Sequence, residues 1–342
     1  MFRAGILNVT GYMGAEAARL LHAHPDIELV SVTGRSAAGK PLGDVFPHLG
    51  PLGLNVEEQL GEVDAVVSAL PHAAAAEQLL PYIERGLPVV DLSADFRLRR
   101  IEEYEAWYGA HPAPELLASA VMGLPELRHD EIARAKLVGS AGCHSTAAVF
   151  ALAPAFKAGL VEPDVVVDSK SGISGAGRTL GLPYHFAEAN EGVSAYALDG
   201  HRHLPEIVQE LGALWEAPPP RVTMVPHLIP MSRGILITAY ASLRAGADLG
   251  ADPTARVREL FSDFYRESIF VRVVDVPPST KQTLGTNDCL VYPTVDARTD
   301  RLVIVSALDN LMKGGAGQGV QCLNLMLGLP EAAGLGGLAL YP

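Results

Sequence analysis

Short apolar runs alternate with amphipathic stretches through the first third of the chain. The apolar runs predict strands, and the stretches with helical spacing predict helices between them. The predicted strands are residues 4–9, 27–33, 65–70 and 88–92, and the predicted helices are residues 15–22 and 73–85. Strands and helices in alternation indicate a parallel sheet with helices on both faces, and such sheets bind ligands at the carboxyl ends of their strands.

The pattern changes from about Val165 onward, where strands follow one another with few helices between them. The predicted strands are residues 165–170, 221–225, 235–242, 270–274 and 302–307, and the predicted helices are residues 205–215, 253–266 and a last one ending near Leu327. This order predicts an α+β region built on a mixed or antiparallel sheet. The fold class expected for the whole chain is therefore α/β, with a second α+β region.

Composition narrows the class of protein. The chain has 342 residues, enough for two domains, and its net charge of −13 argues against duplex nucleic acid as the main partner. Three cysteines cannot form a full disulfide framework and are typical of a reducing compartment. No apolar run is long enough to span a bilayer, and the N-terminal residues show no signal-peptide pattern. We expect a soluble, cytoplasmic protein with neither a membrane nor a nucleic-acid partner.

The loop after the first predicted strand carries a nucleotide-binding signal, Gly11-Tyr12-Met13-Gly14. Gly11 and Gly14 would let the backbone approach a pyrophosphate at a helix N-terminus, so these four residues are predicted to bind a dinucleotide. Asn8 stands where such loops usually have another glycine, and asparagine tolerates positive φ better than most residues. A plain tight turn between strand and helix is the alternative explanation of the same residues.

The end of the second predicted strand indicates which dinucleotide binds. It carries Arg35 and Ser36 instead of the acidic residue that usually contacts the ribose of NAD. An arginine beside a hydroxyl suits a ribose 2′-phosphate, so the predicted cofactor is NADP(H). The alternative is that Arg35 is only a solvated surface charge.

A glycine turn leads directly into Cys143, and a helical pattern follows from Ser145 through Phe156. A cysteine at a helix N-terminus gains thiolate character, and the unpaired amides there could hold an oxyanion. We therefore expect Cys143 to act as a covalent nucleophile, with a buried structural cysteine as the alternative. Cys289 and Cys322 lack this setting and are expected to be buried and inert.

A proton-transfer partner for such a thiol is available at the head of a predicted helix, where His201 and His203 lie. Glu206 follows His203 by three residues and can orient its imidazole if the helix starts there. The spacing of the two histidines also occurs in metal sites, but no third ligand stands at a useful spacing, so no metal is predicted. Solvated histidines at a helix cap are the alternative.

Two arginines are candidates for binding an anion. Arg97 follows a predicted strand, and Arg178 ends the glycine-rich residues 171–178. Either could clamp a phosphate or a carboxylate, and a structural salt bridge is the alternative for each. Residues 309–318 open the last predicted helix with small side chains, which is typical of a helix terminus that approaches a ligand closely.

With these motifs in place, the chain resembles the N-acetyl-gamma-glutamyl-phosphate reductases, relatives of the aspartate-semialdehyde dehydrogenases, over essentially its whole length. The matching stretches, in the order of the family, are residues 11–14, 93–97, 171–178, 200–207, 226–234 and 309–318. The resemblance implies a Rossmann-type domain interrupted by an inserted, dimerising α+β domain. The expected boundaries are residues 1–141 and 310–342 for the NADP-binding domain and residues 142–309 for the catalytic and dimerisation domain.

The resemblance also implies a reaction, the NADPH-dependent reductive dephosphorylation of an acyl phosphate to a semialdehyde in arginine biosynthesis. Cys143 would displace phosphate to give a thioester, which a hydride then collapses. His203, held by Glu206, is assigned the acid–base role and His201 substrate binding, although the two assignments could be reversed. The further contacts expected are Gly175, Asn310 and Lys313 on the cofactor and Arg97, Arg178 and Ser140 on the substrate.

Two departures from the family pattern leave the substrate open. The nucleophile segment of the family usually reads Asn-Pro-Gly-Cys-Tyr-Pro-Thr, whereas residues 140–146 read Ser-Ala-Gly-Cys-His-Ser-Thr, and Asn8 replaces a glycine. A sister group, which reduces aminoadipyl phosphate on a carrier protein in lysine synthesis, also lacks that proline. Residues 171–178 and 200–206 favour the free acetylated glutamyl substrate.

Other functions stay open as well. An aspartate-semialdehyde enzyme and a non-catalytic nucleotide-sensing regulator are the remaining alternatives. In each case the expected partners are a small molecule and further copies of the chain, as a dimer or a tetramer.

Overall fold

The computed structural model describes residues 1–216 and 218–341. They divide into two compact units, one formed by Met1–Gly142 with Gly315–Gly337 and the other by Cys143–Gly314 with the chain from Leu338 onward. Among the described residues, every helix is too short or too polar to cross a membrane.

A parallel sheet forms the centre of the first unit. Over the described residues it has seven strands in the order β3-β2-β1-β4-β5-β7-β6, and each neighbouring pair is parallel. The strands are β1 (Phe2–Leu7), β2 (Ile27–Thr33), β3 (Val56–Glu57), β4 (Ala65–Ser68), β5 (Val89–Asp91), β6 (Val121–Gly123) and β7 (Leu137–Ser140). The expected Rossmann-type sheet is confirmed, and its carboxyl edge collects the loops that follow β1, β2, β5 and β7.

Helices cover this sheet because its central strands are apolar on both faces. They are α1 (Tyr12–His22), α2 (Leu42–Val45), α3 (Ala75–Glu84), α4 (Ile101–Tyr108) and α5 (Pro125–Arg134). Leu79 of α3 packs with Val66, Val89 and Phe96 in a buried apolar cluster. Helices α4 and α5 were not predicted, because α4 buries only Tyr104 and α5 is kinked at Arg128, so neither shows a clear apolar period.

The second unit contains a mixed sheet, as expected. Over the described residues its strand order is β12-β13-β14-β11-β8-β10-β9, with β8 and β10 parallel, β12 and β13 parallel, and the other pairs antiparallel. The strands are β8 (Val161–Gly172), β9 (Ser194–Ala195), β10 (Arg221–Ile229), β11 (Ile235–Leu243), β12 (Val271–Val273), β13 (Cys289–Asp296) and β14 (Arg301–Leu308). The expected fold class is confirmed in both units.

Helix α6 (Cys143–Lys157) forms the core of this unit. All its residues except Lys157 are buried, and it packs on β8, β11 and β14. Ser306 donates a hydrogen bond through Oγ to the carbonyl of Ala147 at 2.9 Å, which ties the helix to β14. The other helices of the unit are α7 (Phe186–Ala189), α8 (Leu204–Gly212) and α9 (Pro253–Phe264).

The last helix begins later than the sequence predicted. A π-helical turn, Met312–Ala316, precedes α10 (Gly317–Met326), and Gly315 within that turn has non-helical φ and ψ of −166° and −106°. Residues 309–316 therefore form a separate loop and turn, and do not open the helix. Such π turns are common at functional sites.

Candidate active site

Asn8 shapes the loop that follows β1. Its φ is 65°, the left-handed conformation that a glycine would adopt easily. The side chain also fixes the loop, because Nδ2 donates to the carbonyl of Ala69 at 2.8 Å and Oδ1 accepts from Oγ1 of Thr10 at 3.1 Å. The expectation that the turn tolerates asparagine is confirmed.

The two loop glycines have different reasons to be glycine. A Cβ on Gly14 would lie 2.4 Å from the carbonyl oxygen of Asn8 and 2.7 Å from Cα of Val9, so α1 lies too close to the loop after β1 for any side chain. A Cβ on Gly11, the N-cap of α1, would meet only Nδ2 of Asn8 at 4.0 Å. The protein itself leaves open space at Gly11, where a ligand could lie against the helix N-terminus.

Arg35 and Ser36 follow β2 in the short 3₁₀ turn Arg35–Ala37, and both are exposed. They lie at the carboxyl edge of the parallel sheet, as predicted, together with the Asn8 loop. This placement leaves the guanidinium accessible to an anionic ligand.

Cys143 is the first residue of α6, two residues earlier than the predicted start of that helix. Its position at the helix N-terminus is therefore confirmed, and its exposed fraction is 9%. A Cβ on Gly314 would lie 2.7 Å from the Cβ of Cys143, so the π turn packs directly on the cysteine. Cys289 and Cys322 are fully buried, as expected.

Three histidine rings lie close together within the second unit, and two of them lie beside the cysteine. One ring nitrogen each of His144 and His203 and the Sγ of Cys143 all lie within 4.8 Å of one another. The ring centroids of His201 and His203 are 4.8 Å apart, and those of His144 and His201 are 5.0 Å apart. Both predicted histidines therefore join one cluster with the predicted nucleophile.

Hydrogen bonds fix the orientation of this cluster. Nδ1 of His144 lies 2.7 Å from Oγ of Ser169, and its Nε2 lies 3.2 Å from the Tyr196 hydroxyl. The backbone N–H of His203 donates to Nδ1 of His201 at 3.1 Å, and the carbonyl of His203 accepts from Oγ of Ser145 at 3.2 Å. The first turn of α6 and the start of α8 are thus joined at the site.

Burial keeps two of these imidazoles neutral. It lowers the pKa of His144 to about 3, with a further contribution from His201, and it lowers the pKa of His201 to about 4, with a further contribution from Arg202. Burial also raises the pKa of the Tyr196 hydroxyl, and Cys143 adds to that shift. At neutral pH these rings can accept a proton only at a cost in free energy, which sets them apart from solvated cap histidines.

His203 is the N-cap residue of α8, and Glu206 lies in the first turn of that helix with an exposed fraction of 1%. Helix α8 therefore starts at the position that the predicted pairing of His203 with Glu206 requires. The orienting role of Glu206 stays a prediction.

The candidate substrate residues differ strongly in environment. Arg97 is buried, and its guanidinium donates to the carbonyls of Ser140 and Leu92 at 2.7 Å each, which supports the structural alternative for this arginine. Ser140 ends β7, and its buried Oγ has no hydrogen-bond partner within the part of the chain that is described. Arg178 is exposed in the loop after β8.

The three residues expected near the cofactor from the second unit form two groups. Asn310 is buried, accepts from the backbone N–H of Gly234 at 2.8 Å and donates to Oγ of Ser174 at 3.0 Å, in the same 3₁₀ turn as the exposed Gly175. Lys313 is buried, with Nζ 5.3 Å from the ring centroid of Phe150. Contacts of these residues with a cofactor stay a prediction.

Comparison with known proteins identifies the family. Residues 3–135 match the NAD binding domain of semialdehyde dehydrogenase and residues 143–310 match its dimerisation domain. N-acetyl-gamma-glutamyl-phosphate reductase from Dehalococcoides mccartyi is 52% identical across 100% of this chain and 99% of its own, and the enzyme of the same name from Pelotomaculum thermopropionicum is 46% identical across 99% of both. The chain belongs to the N-acetyl-gamma-glutamyl-phosphate reductase family.

Solved structures confirm the fold of this reductase family member. Aspartate semialdehyde dehydrogenase II from Vibrio cholerae superposes with a TM-score of 0.70 at 16% identity, covering 96% of this chain and 98% of that one. Aspartate semialdehyde dehydrogenase from Candida albicans, solved with NADP, gives a TM-score of 0.69 at 18% identity with the same coverage.

The residues of the first unit fit the dinucleotide that this reductase family implies. The open space at Gly11 lies beside the unpaired amides of the α1 N-terminus, which suit a pyrophosphate. The exposed Arg35 and Ser36 offer a cation and a hydroxyl to a ribose phosphate.

Part of the reductase site is not predictable from the sequence motifs. His144 differs from the family pattern but carries no motif of its own, and neither do Ser169 and Tyr196, which hold the His144 ring. Ser169 could have been found from the alternation of β8, in which residues 165, 167, 169 and 171 are all buried. Tyr196 follows the two-residue strand β9, which carries no detectable sequence signal.

Proposed function

We propose that this protein catalyses the NADPH-dependent reductive dephosphorylation of N-acetyl-glutamyl 5-phosphate to N-acetyl-glutamate 5-semialdehyde, a step of arginine biosynthesis. The observation that carries the proposal is the position of Cys143 at the N-terminus of α6, with nitrogens of His144 and His203 near its sulfur, in a chain half identical to a reductase of that name. NADP(H) is the cofactor, and when bound its reduced form supplies the hydride.

Cys143 performs the acyl transfer. Its thiolate, favoured by the N-terminal end of the α6 macrodipole, attacks the carbonyl carbon of the acyl phosphate. The backbone N–H groups of the first turn of α6 have no intrahelical partners and can hold the oxyanion that forms. Phosphate then leaves with the electrons of the broken C–O bond, and the acyl group remains on Sγ as a thioester.

A histidine moves the proton of the thiol. His203 suits this role because one of its ring nitrogens lies within 4.8 Å of Sγ, whereas His201 directs Nδ1 to the backbone of His203. We propose His203 as the acid–base residue and Glu206 as its positioning residue, with His201, Arg178 and the unpartnered hydroxyl of Ser140 on the substrate side.

We also propose that the second unit pairs with a further copy of the chain, since its sequence matches a dimerisation domain. Buried residues of β8 alternate with exposed or half-buried ones. One face of its sheet is therefore accessible, as contact with a partner would require. A cytoplasmic location belongs to the same proposal, because the thiol nucleophile needs a reducing compartment.

The reverse reaction tests the function. Phosphate-dependent reduction of NADP⁺ should proceed with N-acetylglutamate semialdehyde, and at a much lower rate with aspartate semialdehyde. Cys143→Ser should lower kcat by at least about a thousandfold with NADPH binding retained, because the hydroxyl is a far weaker nucleophile than the thiolate. Activity only with an aminoadipyl semialdehyde on a carrier would instead support the lysine-type reaction. A protein that binds NADPH but turns over neither substrate would be a nucleotide sensor.

A further inference from the structure

The cluster around Cys143 has the composition of a metal site. Within residues 1–216 and 218–341, Cys143, His144 and His203 are the one group of three potential ligands whose donor atoms lie within 4.8 Å of one another. One sulfur and two imidazole nitrogens are the donors that zinc prefers in proteins, and three protein ligands leave a fourth position for water.

The geometry is close to the one that zinc needs. Zinc lies about 2.3 Å from a thiolate sulfur and about 2.0–2.1 Å from an imidazole nitrogen, so tetrahedral donors are about 3.3–3.6 Å apart. The three donors here lie within 4.8 Å of one another, so even the widest pair would need to close by only about 1.2–1.5 Å to bind the ion.

His144 has the outer contact that a zinc-bound histidine usually has. When Oγ of Ser169 accepts a hydrogen bond from Nδ1–H, the lone pair of Nε2 is left for another partner, and the Tyr196 hydroxyl lies 3.2 Å from it. An ion at Nε2 would take the place of the Tyr196 proton.

We propose that Cys143, His144 and His203 bind a zinc-like divalent cation, and that the bound ion reversibly holds the enzyme inactive. Binding forms one metal–sulfur and two metal–nitrogen bonds, and releases the thiol proton without any change of oxidation state. The ion occupies the sulfur lone pair that would attack the acyl phosphate. Ion binding stands by itself, whereas the inhibition rests on the proposed function.

Zinc binding is measured first, on the full chain, in the presence of a metal-free reductant that keeps Cys143 as a thiol. Zinc sulfate titrated against a competing chromophoric chelator should show one site per chain. His144→Tyr, which installs the residue of the family pattern, should weaken the site by roughly a hundredfold or more, and Ser169→Ala by roughly ten- to a hundredfold. His22→Tyr, the same change at an exposed histidine of α1, is the matched control and should leave zinc affinity unchanged.

Two measurements on the unaltered protein identify the ligands without any variant. Cobalt(II) should give a thiolate-to-metal charge-transfer absorption, and zinc should protect Cys143 from iodoacetamide, as followed by peptide mass spectrometry. Cys289 and Cys322 are fully buried and serve as internal references. No charge-transfer absorption, no protection of Cys143, or an unchanged affinity in His144→Tyr would each overturn the site.

Inhibition is tested separately from binding. Zinc should abolish the reductase reaction, and a chelator should restore it. In His144→Tyr, the zinc concentration that halves the rate should be at least tenfold higher than in the unaltered protein, with each rate normalised to that of the same protein without zinc. Zinc bound through Cys143 with turnover unaffected would refute the inhibitory role and also the proposed nucleophile. Inactivity without zinc, with the charge-transfer absorption intact, would refute the proposed function alone.

Discussion

Asp91 carries the clearest conflict between charge and burial in the first unit. Its carboxylate is fully buried at the end of β5 and accepts hydrogen bonds from the backbone N–H and the hydroxyl of Ser93. Burial raises the pKa of Asp91 from its ordinary value of 3.8 to about 6, and the nearby Asp95 adds to the shift. Between these two values the folded protein holds a proton that the unfolded chain has released, so this residue lowers stability as the pH rises from about 4 to 6.

Asp91→Asn should therefore change the pH dependence of unfolding. The free energy of unfolding of the variant, taken relative to the unaltered protein, should increase by up to about 3 kcal/mol between pH 4 and pH 7. Urea unfolding at both pH values measures it. Asp275→Asn, at a carboxylate that is 95% exposed, is the control and should give a difference near zero. Parallel pH curves for Asp91→Asn and the unaltered protein would refute the prediction.

Arg35 is the residue that we expect to set the choice between the two nicotinamide cofactors, because it is exposed directly after β2. A charge-assisted hydrogen bond to a 2′-phosphate contributes about 1.5–3 kcal/mol, so Arg35→Ala should lower kcat/KM for NADPH by roughly ten- to a hundredfold and leave that for NADH nearly unchanged. Steady-state kinetics with both cofactors test this. Arg85→Ala, at an exposed arginine that caps α3, is the matched control. An equal loss with both cofactors would mean that Arg35 does not read the phosphate.

Single residues of the site were predictable where the chemistry is local. Cys143 was found because a glycine turn and a helix adjoin it in sequence, and Asn8 because its φ depends on its own side chain. The approach of His144 to His203 was not predictable, since 59 positions separate them and β8, β9 and α8 together decide it. Helix spacing describes neighbours on one element only, which is why no third metal ligand was expected beside His203.

At the scale of elements, the two glycines at the junction of β1 and α1 have different roles: Gly14 is required for packing, and Gly11 borders the space expected for a ligand. Gly14→Ala should destabilise the first unit by about 1–3 kcal/mol, because the new Cβ would overlap the backbone of Asn8 and Val9. Gly11→Ala should lower stability by only about 0.5 kcal/mol or less, since the φ of Gly11 is −91° and the space is open, although alanine is a poorer N-cap than glycine.

The two substitutions should differ in what they impair. Gly14→Ala should mainly lower the stability of the protein, whereas Gly11→Ala should mainly lower its affinity for NADPH. Gly11→Ala should weaken NADPH binding by about tenfold or more while the urea midpoint changes little, because its methyl group occupies the space expected for the pyrophosphate. Fluorescence titration with NADPH and urea unfolding of both variants measure the two effects. Undiminished NADPH affinity in Gly11→Ala would place the dinucleotide elsewhere.

Strands were predictable where alternation is unbroken and were missed where it is interrupted. Strand β2 has the predicted ends because the turn residues Pro25, Asp26 and Gly34 flank its apolar run on both sides. Strand β13 was missed because it contains Pro293, and proline argues against a strand inside a sheet. The structure accommodates it because β12 pairs with β13 only as far as Val291, which leaves Pro293 with a neighbour on one side.

At the scale of the whole molecule, the proposed self-association depends on one face of the mixed sheet. Strand β8 alternates buried and exposed residues, and Val166 on its open face is 41% exposed opposite Tyr240 of β11. The same face carries Asp168 beside Thr238 and Lys170 beside Leu236. Apolar and paired polar side chains in one surface are typical of protein interfaces.

Val166→Glu should dissociate the oligomer without unfolding the chain. A buried, unpaired carboxylate at the centre of an interface costs several kcal/mol, whereas the same side chain on an exposed strand of a monomer costs little. For the unaltered protein, light scattering after size exclusion should give about twice the chain mass of 36.2 kDa for a dimer, or four times that mass for a tetramer. For the variant it should give half of the unaltered protein's value or less. Val276→Glu, at a valine of the same unit that is 66% exposed, should keep the mass of the unaltered protein. An oligomer that persists in Val166→Glu would place the interface on another surface, and a monomeric unaltered protein would end the expectation of self-association.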